Sequence, residues 1–205
     1  MKKILIFGDS ISWGAFDDEK GGWVERLKTR YLDTFSEGKR IGVYNLSVSS
    51  NNTAGVLETI ESDIEKFNKI EPEEYTLIFS IGSNDPVYVD TKDNVGVPFD
   101  SYRSNLEKIV EISKKYSNDI VFTGLMIVDE EKTKPWSENE YWENEDMKRY
   151  NDEIENICKK YDLDFIPLWD VLTKEDLSDG LHPNAKGHEK IYRRVENFLS
   201  EKLSL

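Results

Sequence analysis

The chain has 205 residues, with 38% hydrophobic residues, 33% charged residues and a formal net charge of −14. This length and composition fit one globular α/β domain, residues 1–205, with enough apolar side chains for a core. The acidic surface repels phosphate backbones and anionic headgroups, which argues against nucleic acid and membrane as partners.

No sequence feature indicates secretion or membrane insertion. The first apolar run, residues 4–7, is too short for the apolar part of a signal peptide. No stretch approaches the length of a membrane span. Cys158 is the single cysteine, so no disulfide can form within the chain, and its apolar neighbours predict a small buried hydrophobe. We therefore expect a cytoplasmic protein.

Five apolar runs alternate with amphipathic stretches along the chain. The runs cover residues 4–7, 41–46, 75–81, 119–125 and 164–168. Their Ile, Val and Phe content is typical of buried parallel strands. Between the first two runs Trp23, Leu27, Tyr31 and Phe35 recur at helical spacing, and Pro72 precedes the third run. The alternation predicts a parallel sheet with helices on both faces and right-handed crossovers.

Two stretches, residues 86–99 and 129–144, are predicted as loops. The second is long and polar and carries Trp136 and Trp142. Loops of this length without secondary structure are more often functional than connective. The two tryptophans are therefore candidates to line or cover a substrate pocket, and the alternative is that their rings pack the loop onto its own domain.

The first strand ends at Phe7-Gly8-Asp9-Ser10, where a tight turn follows the apolar run. In open α/β sheets ligands bind at the carboxyl edge of the strands. A serine at that edge has an exposed hydroxyl and a backbone N–H free to face a ligand. The simpler alternative is that Asp9 or Ser10 only caps the following helix.

A second polar motif lies near the end of the chain, at Ser178-Asp179-Gly180-Leu181-His182. A serine hydroxyl needs a base to become a nucleophile, and His182 can be that base if a carboxylate fixes its tautomer. Asp179 is close enough in sequence to reach the imidazole. Ser50, Asn84 and His182 follow the second, third and fifth predicted strands, so all should converge with Ser10 on one edge of the sheet.

Three short motifs together resemble the SGNH (GDSL-type) esterase and lipase family. They are Gly8-Asp9-Ser10, Gly82-Ser83-Asn84-Asp85 and Asp179-Gly180-Leu181-His182. The resemblance spans nearly the whole chain and implies a three-layer α/β/α fold with a five-stranded parallel sheet in the flavodoxin-like order 2-1-3-4-5. It also implies a small-molecule ester substrate and a catalytic triad of Ser10, His182 and Asp179.

The resemblance further implies three donors to an oxyanion. They are the backbone N–H of Ser10, a backbone N–H after the second strand, and the side-chain amide of Asn84. The family usually has a glycine in the segment matched by residues 45–53, and alignment from Asn45 puts Ser50 in its place. The N–H survives this exchange. The backbone conformation and the room beside the oxyanion come into question if glycine served for a positive φ.

Other polar residues have structural interpretations. Asp9 and Asp85 are expected to make hydrogen bonds around their turns. His188 lies on the inward stripe of the last helix, which favours a hydrogen-bonded packing role over catalysis. No cluster of His, Cys, Asp and Glu has metal-ligand spacing and no glycine-rich phosphate loop occurs, so we expect no metal and no cofactor.

The leading hypothesis is therefore a serine hydrolase of carboxylic esters with a short acyl group such as acetyl. A thioesterase or lysophospholipase of the same fold is an alternative in the same class. A non-catalytic ligand-binding domain would keep the fold; the intact Ser10, Asp179 and His182 argue against it, while Ser50 leaves it open. A flavodoxin-like or receiver-type domain would share the fold without requiring the Asp179–His182 pair.

Overall fold

A parallel five-stranded sheet forms the centre of the computed structural model, which describes residues 2–32, 40–67 and 74–203. The strands are β1 (Lys2–Gly8), β2 (Ile41–Asn45), β3 (Glu74–Ser80), β6 (Asp119–Thr123) and β8 (Asp164–Ile166). They lie in the order β2-β1-β3-β6-β8, and every neighbouring pair is parallel. The flavodoxin-like order is confirmed.

Helices cover both faces of this sheet. Their bounds are α1 (Ser10–Trp13), α2 (Trp23–Leu32), α3 (Thr53–Glu65), α4 (Phe99–Ser113), α5 (Glu130–Thr133), α6 (Asn144–Tyr161) and α7 (Ala185–Leu203). Alternate residues of β1 face opposite sides, so Leu5 and Phe7 pack with α3, α4 and α6, whereas Ile4 and Ile6 pack with α2 and α7. The three-layer α/β/α architecture is confirmed. Phe35 and Pro72, used in the sequence patterns, lie outside the described residues.

The prediction of two plain loops is wrong, because a second, antiparallel sheet joins them. Its strands are β4 (Tyr88–Val89), β5 (Thr91–Val95) and β7 (Glu140–Tyr141), in the order β5-β4-β7. Tyr88 and Tyr141 stack across it, with ring centroids 4.9 Å apart and an interplanar angle of 3°. The three strands are short and mostly polar, so none of them shows the apolar alternation that identifies a half-buried strand.

Cys158 lies on the inward face of α6 and is 2% exposed. Burial raises the pKa of its thiol to about 12, so the side chain is a neutral apolar group, as predicted. Among the described residues, no helix combines the length and apolar character needed to cross a membrane. The cytoplasmic location stays a prediction.

A close approach of two backbone segments holds the turn that carries Ser10. Gly14 ends α1 with φ 104°, and its N–H donates to the carbonyl oxygen of Ser10 at 3.1 Å. A Cβ atom built on Gly14 would overlap the backbone of Gly21. The segment after α1 is therefore packed directly against the start of α2, with no room for a side chain between them.

We expect Gly14→Ala to lower the free energy of unfolding by about 3 kcal/mol or more, because the new methyl group meets backbone and φ is positive. Gly21→Ala is the matched control. Its φ is also positive, at 73°, but its Cβ would only touch the flexible Glu25 side chain at 3.7 Å. That control should lose about 1 kcal/mol. Urea unfolding measures both, and equal losses would show that the close approach does not matter.

Candidate active site

Asp9 determines how Ser10 leaves the sheet. Its carboxylate accepts a hydrogen bond from the backbone N–H of Ile11 at 2.9 Å and so caps α1. Ser10 is the first residue of that short helix, directly beyond the carboxyl end of β1. The capping interpretation therefore holds for Asp9, while the Ser10 side chain is left free to face another element.

Ser10, His182 and Asp179 come together in one hydrogen-bonded row. The Ser10 Oγ lies 2.9 Å from His182 Nε2, and His182 Nδ1 lies 2.7 Å from Asp179 Oδ2. Ser10 and His182 are both buried. With the Nδ1 proton directed at the carboxylate, the Nε2 lone pair faces the serine hydroxyl.

The acid of this row is held ionised. Burial acts to raise the pKa of Asp179, but hydrogen bonds from the His182 side chain and from backbone N–H groups outweigh it and hold the pKa well below its usual range. The backbone donors are Leu181 at 3.0 Å and His182 at 2.8 Å, both to Oδ1. The turn at 179–182 therefore orients its own carboxylate toward the imidazole.

The three predicted oxyanion donors line the same cavity as His182. Its volume is about 270 Å³, and Ser10, Ser50 and Asn84 contribute to its wall. Asn84 Nδ2 donates one proton to the carbonyl oxygen of Asn51 at 2.8 Å, and its second proton has no acceptor among the residues that the structure describes. Within the described residues, the Ser50 N–H has no protein acceptor. The geometry thus gathers these donors beside Ser10, and their role stays a prediction.

Ser50 has the backbone conformation that the family glycine would supply. Its φ is 63°, in the left-handed region that residues other than glycine rarely adopt. The neighbouring Asn51 N–H donates to the carbonyl oxygen of Val48 at 3.1 Å, which closes a turn around Ser50. A serine is therefore forced into a glycine-like conformation at the wall of the cavity.

Trp136 and Trp142 also line this cavity, and they pack against each other. Their rings meet edge to face, with centroids 5.5 Å apart. The Trp136 Nε1 donates to Asp179 Oδ2 at 3.0 Å, and Trp142 Nε1 donates to the carbonyl oxygen of Ser83 at 2.8 Å. The two alternatives from the sequence thus coexist, because the rings line the pocket and also anchor their segment. Contact with substrate stays a prediction.

Asp9 and Asp85 make the structural hydrogen bonds that were expected. Asp85 accepts from the backbone N–H of Thr53 at 3.2 Å and from its hydroxyl, and so holds the start of α3. Burial raises the pKa of Asp85 to about 7 and that of Asp9 to about 6. Two carboxyl groups behind the proposed nucleophile therefore titrate close to neutrality.

His188 has a packing role, as predicted. It is fully buried on α7, and its Nε2 lies 2.9 Å from the carbonyl oxygen of Ala15, to which it donates. Burial lowers the pKa of this imidazole to about 4, so it is neutral at physiological pH. The contact ties the last helix to the segment that follows α1.

One residue beside the site was missed by the sequence analysis. Phe16 stacks on the His182 imidazole, with ring centroids 5.1 Å apart and an interplanar angle of 27°. Its φ is 64° and its side chain is 53% exposed. The next residue, Asp17, forms a buried ion pair with Arg26 and accepts the Gly22 N–H at 2.7 Å, which holds the segment in place. Nothing in the local pattern around Phe16 signals this contact.

Comparison with solved structures shows that two hydrolases share this fold. A lipase/acylhydrolase from Enterococcus faecalis superposes with a TM-score of 0.73 at 20% identity, covering 98% of this chain and 97% of that chain. An acetylxylan esterase from Geobacillus stearothermophilus superposes with a TM-score of 0.72 at 20% identity, covering 95% and 92%. At such identities the likeness establishes the fold alone.

Sequence comparison establishes the family. The model of the GDSL-like lipase/acylhydrolase family matches residues 6–190, so the chain belongs to this family and is a carboxylic ester hydrolase. Similar proteins include the isoamyl acetate-hydrolyzing esterase 1 homolog of Homo sapiens, 26% identical over 98% of this chain and 83% of that protein. The GDSL esterase/lipase WDL1 of Oryza sativa subsp. japonica is 24% identical over 96% and 77%. The resemblance drawn from the three motifs is confirmed.

His188 should make stability depend on pH. Its pKa falls from 6.5 in the unfolded chain to about 4 in the folded one, so the unfolded state binds the proton more readily. Stability from this group is complete above about pH 6.5 and is lost as the pH falls toward 4, a change of roughly 2–3 kcal/mol by about pH 4.5. Asp9 and Asp85 act in the opposite direction over part of this range, so a variant comparison is needed.

His188→Gln supplies that comparison, because its side-chain amide can still donate to the Ala15 carbonyl oxygen but does not titrate. The difference in unfolding free energy between variant and wild type should shift in favour of the variant on going from about pH 7.5 to about pH 4.5. Urea unfolding at both values measures it. A difference that stays constant would mean that His188 is not held neutral.

Proposed function

We propose that this protein hydrolyses short-acyl carboxylic esters, of acetyl type, through a Ser10–His182–Asp179 triad and an acyl-enzyme. The observation that carries the proposal is the hydrogen-bonded row from Ser10 Oγ to His182 Nε2 at 2.9 Å and from His182 Nδ1 to Asp179 Oδ2 at 2.7 Å. Ser10 and His182 line a cavity, where an ester carbonyl can approach the hydroxyl.

In the acylation step, Ser10 Oγ attacks the ester carbonyl carbon while His182 Nε2 takes the hydroxyl proton. The imidazolium that forms is stabilised by the ionised Asp179, which accepts the Nδ1 proton in a hydrogen bond. The tetrahedral intermediate then collapses, the bond to the alcohol oxygen breaks, and His182 gives its proton to the departing alcohol. The acyl group remains on Ser10.

The negative charge of the tetrahedral oxygen needs donors that are already in place. We assign this role to the backbone N–H groups of Ser10 and Ser50 and to the second amide proton of Asn84, because all three residues line one cavity. In deacylation, His182 takes a proton from water, whose oxygen attacks the acyl carbon. The same donors hold the second oxyanion until the carboxylic acid leaves and Ser10 regains its proton.

The size and lining of the cavity support a short acyl group. About 270 Å³ is small, and part of the wall is formed by the polar Ser49 and Asn52. A long acyl chain is better matched by an extended apolar channel. The name of the human relative, an isoamyl acetate-hydrolyzing esterase homolog, describes an acetyl ester as substrate of that protein type and supports the same preference.

Hydrolysis of p-nitrophenyl esters of increasing acyl length tests substrate and mechanism together. We expect the acetyl ester to give the highest kcat/KM and Ser10→Ala to lower kcat by about a thousandfold or more, because the nucleophile is removed. An organophosphonate should label Ser10, as read by peptide mass. A preference for long acyl esters would instead favour the lysophospholipase alternative, and unimpaired turnover by Ser10→Ala would overturn the triad.

The two histidines provide a matched pair of controls for this experiment. His182→Ala should lower kcat about as much as Ser10→Ala does, because the general base is lost. His188→Gln keeps the packing contact to Ala15 and should retain turnover. If His188→Gln lost turnover and His182→Ala kept it, the general base would be His188 and not His182.

Ser50→Gly tests the oxyanion position without removing the donor. The backbone N–H stays, and glycine adopts the φ of 63° without strain, so turnover of the acetyl ester should be retained. Loss of the side chain widens the cavity at its wall, so kcat/KM for longer acyl esters should rise relative to that for the acetyl ester. The ester series measures this ranking. A tenfold or greater loss on acetyl esters would show that the serine side chain itself contributes to turnover.

A further inference from the structure

Trp136 contacts the acid of the proposed triad. Its Nε1 lies 3.0 Å from Asp179 Oδ2, the same oxygen that lies 2.7 Å from His182 Nδ1. The Trp136 ring also stands beside the imidazole, with centroids 5.9 Å apart and planes tilted by 60°. The two donors therefore share one carboxylate oxygen.

Trp136 is a donor to this carboxylate from a distant part of the chain, unlike the other donors. The backbone N–H groups of Leu181 and His182 and the His182 ring all belong to the same turn as Asp179. Trp136 lies 43 residues earlier in the chain. It therefore fixes the carboxylate relative to the rest of the domain, which the turn cannot do by itself.

The segment that carries Trp136 is itself anchored. The Trp136 N–H donates to the carbonyl oxygen of Glu140 at 2.8 Å, and the Trp142 N–H donates to that of Thr133 at 3.0 Å. The Asp129 N–H donates to the carbonyl oxygen of Gly180 at 2.8 Å, inside the turn of Asp179. The 129–144 segment thus contacts the 179–182 turn at its backbone as well as through Trp136.

We propose that Trp136 is a positioning residue, whose indole N–H fixes the Asp179 carboxylate and moderates its hold on the His182 imidazole. Its meaning for catalysis rests on the proposed function above. The contact itself can be tested without turnover, because the chain has two histidines and their titrations can be followed separately.

The direction of the effect follows from the shared oxygen. A donor on Oδ2 stabilises the carboxylate charge and draws electron density away from the Nδ1 proton. Removing the indole N–H concentrates that density on His182, favours the imidazolium and moves the imidazole titration to higher pH. A carboxylate that accepts two or three hydrogen bonds loses about two units of pKa. Loss of the single hydrogen bond from Trp136 acts on the imidazole only through Asp179. We therefore expect it to move the imidazole titration upward by about half a pH unit.

Other titratable groups surround the pair and stay unchanged in the test. Lys132 packs against Gly180 from the segment of Trp136, and Glu140 of β7 lines the cavity. Asp9, beyond β1, and His188, on α7, interact with the His182 charge. None of these groups is hydrogen-bonded by the Trp136 indole, so a shift on its removal is assigned to Asp179.

The experiment is an NMR titration of the imidazole C–H signals in a Ser10→Ala background. His188→Gln assigns the signals, and His188, which titrates near pH 4, is the internal reference. Trp136→Phe removes the N–H and keeps an aromatic ring. Replacement of Trp136 by β-(benzothienyl)alanine removes the N–H with nearly unchanged shape, which covers the case in which phenylalanine disturbs the fold.

Trp142→Phe is the matched control. It makes the same change in the neighbouring ring, but its N–H donates to the backbone carbonyl of Ser83 instead of a titrating group. We expect the His182 midpoint to rise by about half a pH unit in both Trp136 variants and to stay in place in Trp142→Phe. In the protein with Ser10, the acid limb of kcat/KM should move by the same amount.

A His182 midpoint that is unmoved or lowered in both Trp136 variants would overturn the proposal. An equal rise in Trp142→Phe would also overturn it, because general loosening of the aromatic pair would then be the cause. These outcomes are read in a protein without the nucleophile, so they are independent of the proposed function, which depends on the turnover of Ser10→Ala.

Discussion

Parallel pairing of β1 with both of its neighbours determines where the polar groups of this protein meet. Ile6 lies opposite Asn45 on β2 and Ile78 on β3, so the three strands end at nearly the same level. Parallel strands all point their carboxyl ends to one edge. The residues that follow these strands, Ser10, Ser50 and Asn84, therefore emerge side by side although they lie far apart in the sequence.

The histidine and its carboxylate reach this edge in a different way. They follow β8 only after a 3₁₀ turn at Lys174–Asp176, so the end of the strand does not place them. The turn at 179–182 is held instead by the Asp129 backbone and by Trp136. Behind Ser10, burial raises the pKa of Asp9 to about 6 and that of Asp85 to about 7, and Asp9 interacts electrostatically with His182. The site thus combines a rigid strand edge with a turn that needs external support.

The sequence was sufficient for the parts of the structure that repeat a physical pattern. Buried parallel strands such as β1 and β3 are continuous apolar runs, and the motifs after them carry distinct residue types, so both were found. The small sheet was missed because β5 is mostly polar and because β7, which pairs with β4, comes from a distant part of the chain. Phe16 was missed because its stacking on His182 depends on a positive φ, which no local pattern encodes for a phenylalanine. Trp136 was singled out by composition, but its bond to Asp179 required the fold.

Backbone strain is concentrated where the proposed chemistry lies. Among the described residues, those other than glycine with positive φ are Phe16, Ser50, Asp90 and Asp162. Aspartate tolerates the left-handed region, and Asp162 simply ends α6, so these two cost little. Phe16 and Ser50 do not have that tolerance, and each costs on the order of 1–2 kcal/mol. One stacks on His182 and the other borders the cavity, so the strain falls on residues that shape the site. For Ser50, a glycine would remove the strain but also the side chain that narrows the pocket, which is consistent with a site built for a small acyl group.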